Sequence, residues 1–282
     1  MWRSLLFVPT LAEKFVAKAA SRGADAIILD LEASIDADRK EEARSALPGA
    51  VAALAPKVKV TVRINPLWRP TLLDLEACVI KDVAAIHVAL CGSAEHLRAV
   101  DGIVSELEAA RGLPQGQIKL IAMIETADAL SQAVEIAKAT PRLAGLTLGV
   151  EDYATSMGVS ATPDLLRPAV FLLNQAARSA GLHSWAVPVS VADYQDTETL
   201  KAQAQYARAL GTTGGYAVHP RQVEVLNAVF SATEEELSWA KEVVKAAAEA
   251  KEQGKAVFKV QGQMIDLPLI TRAERILADH PP

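Results

Sequence analysis

VAAIHV (residues 83–88), SAEHLRAVDGIVSELEAAR (93–111) and IKLIAMI (118–124) follow one another with only short breaks. The first and third are short apolar runs rich in β-branched residues, and the second repeats its apolar residues at helical spacing. Such an order needs a crossover helix between two parallel strands, and a strand buried on both faces reads as a continuous apolar run. The same unit recurs in both directions. Strand-like runs stand at Arg3 to Val8, Ala26 to Leu31, Lys57 to Ile64, Leu143 to Gly149, His183 to Val187 and Gly215 to Val218, which makes eight with the two above. Helical patterns lie between them, at Leu11 to Ser21, Arg39 to Leu54, Ala127 to Ala139, Leu165 to Ala180 and Thr197 to Leu210. The expected fold is therefore α/β, a (β/α)8 TIM barrel over residues 1–230 with a C-terminal helical extension over 231–282. In that extension Thr233 and Glu236 are spaced as a capping box, and Gly254 is a natural stop for the helix they begin.

The 282 residues carry 29 Lys+Arg against 34 Asp+Glu, a formal net charge of −5, and 51% are hydrophobic. That excludes a disordered chain and gives no basic stripe for nucleic acid or a membrane surface. The longest uncharged stretch, Ser179 to Ala192, holds His183, Ser184, Pro188 and Ser190 and is too short and polar to span a bilayer. The N-terminus reaches Glu13 and Lys14 after a brief apolar run, without a secretory h-region, so a cytoplasmic protein is expected. Two cysteines, Cys78 and Cys91, are too few for a disulfide framework and are read as core residues. No GxGxxG or GxxxxGK[ST] motif is present, so small metabolites rather than nucleotides held on a Gly-rich loop are the expected partners.

Active sites of such barrels form at the C-terminal ends of the strands. Here those ends read Asp30-Leu31-Glu32, Arg63-Ile64-Asn65, Glu125, Gly149-Val150-Glu151-Asp152 and His219-Pro220. Carboxylates crowded on one rim repel unless they share a cation, and oxygen-only ligands favour a hard divalent ion, Mg2+ by default. Other uses remain open for each residue. Glu125, Glu151 and Asp152 also suit the first turn of a following helix, and His219 the start of the last barrel helix. Arg63 ends an apolar strand and needs a partner or a ligand.

With these motifs in place, the sequence resembles the HpcH/HpaI aldolase and citrate lyase β-subunit superfamily, in particular its malyl-CoA or citramalyl-CoA lyase branch. The resemblance rests on Arg3-Ser4-Leu5-Leu6-Phe7-Val8-Pro9, Gly23-Ala24-Asp25-Ala26 leading to Asp30-Leu31-Glu32, Lys40 to Arg44 and Val62-Arg63-Ile64-Asn65-Pro66. It continues through Ile124-Glu125-Thr126, Gly149-Val150-Glu151-Asp152-Tyr153, His219-Pro220-Arg221-Gln222-Val223 and Gly262-Gln263-Met264-Ile265-Asp266-Leu267-Pro268. It implies a Mg2+-dependent carbon–carbon lyase joining or cleaving an acyl-CoA and a 2-oxo acid. By resemblance Glu125 and Asp152 are the metal ligands and Arg63 stands beside the substrate oxygens. Arg3, Lys14 and Glu32 join Arg63 as substrate or CoA contacts. Asp266 is the catalytic acid, given to the site of a neighbouring subunit, which implies a homo-oligomer, a trimer or a dimer of trimers; its other reading is a cap for the final helix.

Three positions depart from the family pattern: Ala33 where an aspartate is usual, Val88-Ala89-Leu90 in place of a Pro-Lys pair, and Gly214-Gly215 in place of Gly-Lys. They motivate the reading of a catalytically silent metabolite-binding relative, beside which a citrate lyase β-subunit acting on a citryl thioester stands as the second enzyme reading. The C-terminal tail favours the acyl-CoA lyase over the citrate lyase subunit.

Overall fold

The computed structural model describes residues 2–66 and 68–279. Eight parallel strands run β1 (Ser4–Pro9), β2 (Ala26–Asp30), β3 (Lys59–Ile64), β4 (Val83–Val88), β5 (Lys119–Ile124), β6 (Leu143–Leu148), β7 (His183–Trp185) and β8 (Gly215–Ala217). Their order in the sheet is β7-β6-β5-β4-β3-β2-β1-β8, so each strand lies beside its sequence neighbour and the last pairs back onto the first. The ring closes between β7 and β8 through a bridge from Trp185 to Gly214. This is the expected (β/α)8 barrel, with every expected strand found and no end moved by more than two residues.

The helices are α1 (Glu13–Ala19), α2 (Lys40–Leu54), α3 (Trp68–Cys78), α4 (Ala94–Ala110), α5 (Ala127–Ser131), α6 (Ala133–Ala137), α7 (Val150–Ser156), α8 (Pro163–Ser179), α9 (Thr197–Ala209) and α10 (Pro220–Phe230). The single helix expected over 127–139 is two, because the Gln132 N–H turns to Ala129 O at 3.2 Å and closes the first as a tight turn. Leu5, Ala26, Ile28, Ala85, Ile121 and Trp185 fill the barrel, while the larger apolar cluster packs the helices on its outside. Cys78 and Cys91 are free and buried in that packing. Among the described residues no helix is long and apolar enough to cross a membrane.

The chain divides into two compact units, Trp2–Phe230 and the residues from Ser231 onward. In the second unit Thr233 and Glu236 form the capping box of α11 (Glu234–Glu252), with Glu236 N donating to Thr233 Oγ1 at 3.1 Å and Thr233 N to Glu236 Oε2 at 2.8 Å. The sequence beyond it is not wholly helical as expected. A short antiparallel hairpin, β9 (Phe258–Val260) and β10 (Gln263–Ile265), turns at Gln261 and Gly262, both with positive φ, before α12 (Leu267–Asp279). Val260 and Ile265 of the hairpin join Ala240, Val243 and Ala273 in a separate small core.

The seam where β8 meets β1 depends on Gly214, where a Cβ would stand 2.5 Å from Arg3 O and 2.6 Å from Trp2 O. Backbone cannot yield as a side chain can. Gly214→Ala should therefore lower unfolding free energy by about 2–3 kcal/mol, as overpacking does, measured by denaturant titration; an unchanged midpoint would mean that the seam is slack.

Candidate active site

The C-terminal ends of the strands open into a cavity of about 670 Å3. Asp30, at the end of β2, is 1% exposed and accepts Arg63 Nε at 2.7 Å and Nη2 at 2.8 Å. Glu32 N and Ser34 N complete its coordination at 3.0 and 2.9 Å. Burial drives the Asp30 carboxyl up, but Arg63 and these hydrogen bonds outweigh it and hold the group below the usual carboxylate range. Arg63 also reaches Glu32 Oε2 with Nη1 at 3.1 Å, and its guanidinium lies 4.5 Å over the ring of Phe7. Two of its five N–H donors are thus hydrogen-bonded to Asp30, and the others remain for Glu32 or a ligand.

The loop behind this clamp is tied down from the other side. Lys40 Nζ donates to Leu31 O at 2.9 Å and Glu32 O at 2.6 Å, and Asn65 Nδ2 donates to Leu31 O at 2.8 Å. Asp74, fully buried, accepts Asn65 N at 2.7 Å and Arg44 Nε at 2.7 Å. The Lys40 to Arg44 stretch therefore shapes the rim from behind it.

Glu125, at the end of β5, is 4% exposed. It rests on the backbone of Gly149, where a Cβ would come within 2.4 Å of Oε1, so glycine is required there for the carboxylate to lie down. Leu90 N donates to Oε2 at 2.5 Å, from a residue whose φ is +45°. A leucine in the left-handed region is a local strain, and here it aims one N–H at a buried carboxylate. Burial above all, and then the charge of Asp152, push the Glu125 carboxyl up to about 7, against the pull of Leu90 N–H and Arg63. Asp152 itself is exposed, in the first turn of α7, and lines the same cavity.

Of the residues expected at the site, the structure gathers Arg63, Glu125 and Asp152 on the cavity wall, with Glu32 against Arg63. It does not bring Arg3 there. Arg3 precedes β1, at the amino end of the strands, and its Nε and Nη2 grip Asp25 at 2.9 and 2.7 Å. A phosphate contact at the rim is therefore withdrawn for Arg3. Lys14 is exposed on α1 and does not line the cavity, whereas Phe15, Lys18 and Arg22 do. Their 15, 18, 22 spacing is that of one helix face, a signal carried in the sequence itself. Asp266 lies in the second unit, half-buried between β10 and α12, beside exposed Met264 (65%) and Leu267 (71%). Of the three departures, Ala33 lines the cavity and Leu90 caps Glu125, but Gly215 is not a rim position. A Cβ there would meet Val187 Cγ2 at 2.8 Å and Leu226 Cδ2 at 2.9 Å, packed against α10.

The sequence pattern of the HpcH/HpaI aldolase/citrate lyase family matches residues 3–220. The chain belongs to that family. It is 34% identical to the citrate lyase subunit beta of Haemophilus influenzae over 98% of its own length and 95% of that protein's. It is 31% identical to an L-malyl-CoA/beta-methylmalyl-CoA lyase of Cereibacter sphaeroides over 98% of this chain and 93% of the relative. The fold is similar to that of the CitE protein of Mycobacterium tuberculosis in complex with magnesium, acetoacetate and coenzyme A, with a TM-score of 0.74, 28% identity, and coverage of 99% and 98% of the two chains. Both kinds of relative are lyases, and both align with nearly the whole chain. The C-terminal tail thus fails to favour one over the other, contrary to expectation.

The Glu125 environment has a consequence in the metal-free protein. An unfolded glutamate titrates near ~4.3, so the native state, with Glu125 raised to about 7, holds its proton more tightly than the unfolded chain. The stability from that proton is complete below the unfolded value and is lost as pH rises towards 7. Glu125→Gln cannot ionise, and should melt roughly 3–6 °C above the wild type at pH 8 without divalent metal. The gap should close below about pH 4.5; scanning calorimetry that finds it independent of pH would place Glu125 in water.

Proposed function

We propose that the chain is a Mg2+-dependent carbon–carbon lyase that cleaves a 3-hydroxyacyl-CoA of malyl-CoA or citramalyl-CoA type into acetyl-CoA, or a related acyl-CoA, and a 2-oxo acid. The observation that carries this reading is the pairing of a desolvated Glu125 with Asp152 on one cavity wall, facing an arginine that is locked in place by Asp30 yet keeps N–H donors to spare. A buried carboxylate with one backbone N–H for company, next to a second carboxylate, fits a small hard cation. Among the described residues no group of three His, Cys, Asp or Glu side chains gathers to hold a metal. That suits Mg2+, which keeps several waters and takes one or two carboxylates with substrate oxygens.

Glu125 and Asp152 would hold the ion, which when bound supplies Lewis-acid stabilisation of oxyanion charge. Arg63 offers its uncommitted N–H groups to the oxygens of the 2-oxo acid, and the Asp30 clamp keeps that fork from turning with the substrate. Cleavage removes the 3-hydroxyl proton as the carbonyl of the 2-oxo acid forms, and leaves a thioester enolate whose CH2 must take a proton to become the acetyl methyl. Asp266 of a neighbouring subunit is the group assigned to handle that proton, brought in by a segment whose exposed Met264 and Leu267 suit burial against another copy. Lys18 and Arg22 carry the positive charge that CoA phosphates require, and Phe15, 64% exposed beside them, is a surface for a ring to stack on.

The citrate lyase subunit remains the second reading, because relatives of that name are slightly more similar to the chain, 34% identical against 31% for the malyl-CoA lyase. A panel of CoA esters incubated with and without Mg2+, followed by release of glyoxylate, pyruvate or oxaloacetate, tests the assignment. Mg2+-dependent release of glyoxylate or pyruvate is expected. Oxaloacetate alone from a citryl thioester would transfer the chain to the citrate lyase reading, and no release from any ester would leave a silent metabolite binder.

Arg63→Lys keeps the charge and loses the planar fork, so about 2–3 kcal/mol of transition-state stabilisation, or on the order of 10²-fold in kcat/KM, should disappear. Near-normal kcat/KM in that variant would demote Arg63 to a structural partner of Asp30.

If Asp266 serves a neighbouring site, Asp266→Ala should be inactive but still bind Mg2+, and Glu125→Gln should be inactive while still donating a sound tail. Co-expressed at equal dose, roughly a quarter of sites in a closed cyclic oligomer combine a sound barrel with a sound neighbouring tail. Activity at about that level is expected, and verified hetero-oligomers that stay inactive would return Asp266 to its own chain or to a capping role.

A further inference from the structure

Within the barrel, and outside the clamp and the Glu125 pair, lies a string of polar groups. His87 on β4 is fully buried, with Nε2 2.9 Å from Thr61 Oγ1 and Nδ1 2.7 Å from the Tyr216 hydroxyl. The protons can be placed by counting. Thr61 has one hydroxyl proton and donates it to Ile27 O at 3.1 Å, so its oxygen accepts from His87 Nε2–H. Nδ1 is then the acceptor, and the Tyr216 O–H donates to it; the Thr147 hydroxyl beside the phenol gives its own proton to Trp185 O at 2.6 Å. Burial, reinforced by the nearby positive charge of Arg63, holds the imidazole down at about 3, so it is neutral at any pH at which the enzyme works. The string ends on the Ile27 backbone carbonyl, which accepts a hydrogen bond but cannot pass a proton on. The string is therefore fixed in one polarity.

Its geometry leads to Arg63. In the ring order of the sheet, β8 and β4 stand opposite one another, so the Tyr216–His87 hydrogen bond crosses the barrel. The Tyr216 ring meets Phe7 edge to face, with centroids 5.3 Å apart and planes at 82°. Phe7 in turn is the ring over which the Arg63 guanidinium lies at 4.5 Å. The strand that carries Tyr216 has a ladder only with β1 among the described residues, its link to β7 being the bridge at Gly214. A tie to the far wall fixes what the sheet on that side does not.

We propose that Thr61, His87 and Tyr216 form a strut across the barrel that positions Arg63 through Phe7, so that the guanidinium presents its uncommitted N–H donors in one orientation. The contribution to turnover rests on the reading of Arg63 as the 2-oxo acid contact; the positioning itself does not. Tyr216 and His87 are positioning residues, and Tyr216→Phe keeps the ring against Phe7 while removing the hydrogen bond to His87.

The test uses the full chain labelled with 15N-arginine, in which the Arg63 Nε–H signal is assigned by its disappearance in Arg63→Lys. Tyr216→Phe and His87→Leu should each speed hydrogen exchange of that Nε–H at least tenfold, although the Asp30 that holds it is untouched. Val104→Ala, a fully buried change on α4, is chosen to lower the melting temperature by a similar amount and should leave the exchange as in the wild type. With the CoA ester cleaved by the wild type, kcat in Tyr216→Phe should fall about tenfold at a KM within twofold. In the Arg63→Lys background the same change should cost nothing further, since coupled residues are not additive. Exchange at the wild-type rate in Tyr216→Phe, or equally fast exchange in Val104→Ala, overturns the strut. Faster exchange with unchanged kcat overturns its role in the chemistry. Full activity in Arg63→Lys would strike the functional reading instead, and the exchange rates would still decide the strut.

Discussion

The bidentate bond between Asp30 and Arg63 is the contact on which the rim is organised. The two residues are register partners at the ends of adjacent parallel strands, so the sheet sets their distance before any loop is ordered. Asp30 is satisfied by two guanidinium and two backbone N–H groups, and the loop carrying Glu32 folds around it. Removing one partner of such a buried pair costs about 3–5 kcal/mol, because the other charge is left without an answer. Lys40, Asn65 and Asp74 then hold the loop from behind, which is why a helix on the outside of the barrel bears on the geometry of its mouth.

The rim carboxylates divide by environment. Asp30 has four donors and is held ionised, while Glu125 has one, from a leucine in a strained conformation, and is pushed up to about 7. A carboxylate so desolvated gains little from the protein alone, and its position over Gly149 next to Asp152 is what the proposed shared cation would answer. Arg63 faces the same cavity with donors to spare because its own charge is already balanced by Asp30 and Glu32. A neutral string through the barrel, ending at the ring beneath Arg63, keeps that arrangement in register without adding charge to it.

Much of this was readable from periodicity and position. A buried parallel strand is a continuous apolar run, and its last residues are the rim, so Asp30, Arg63, Glu125 and Asp152 followed from the strand ends. The same logic misplaced Arg3, because a residue that precedes a strand lies at the opposite end of the barrel from one that follows it. Lys18 and Arg22 were missed because they reach the cavity from the side of a helix. The hairpin at 258–265 was missed because three-residue strands carry too little periodicity to stand out beside two long amphipathic helices. The roles of Gly149 and Leu90 are set by contacts between residues far apart in sequence, and no local pattern announces them. The string from Thr61 to Tyr216 is of the same kind, since it joins strands on opposite sides of the ring.

The division of labour between Glu125 and Asp152 is tested most directly by calorimetric titration of the metal-free protein with Mg2+ at pH 6.5, in buffers of differing ionisation enthalpy. A metal ligand must be deprotonated, so binding at a group with its pKa at about 7 must expel a proton. The wild type should bind Mg2+ with release of about three-quarters of a proton per site, falling towards zero at pH 8.5, and Glu125→Gln and Asp152→Asn should show no binding. Mg2+ bound at pH 6.5 without proton release, or with unchanged affinity in either variant, would contradict the assignment of these two carboxylates as its ligands.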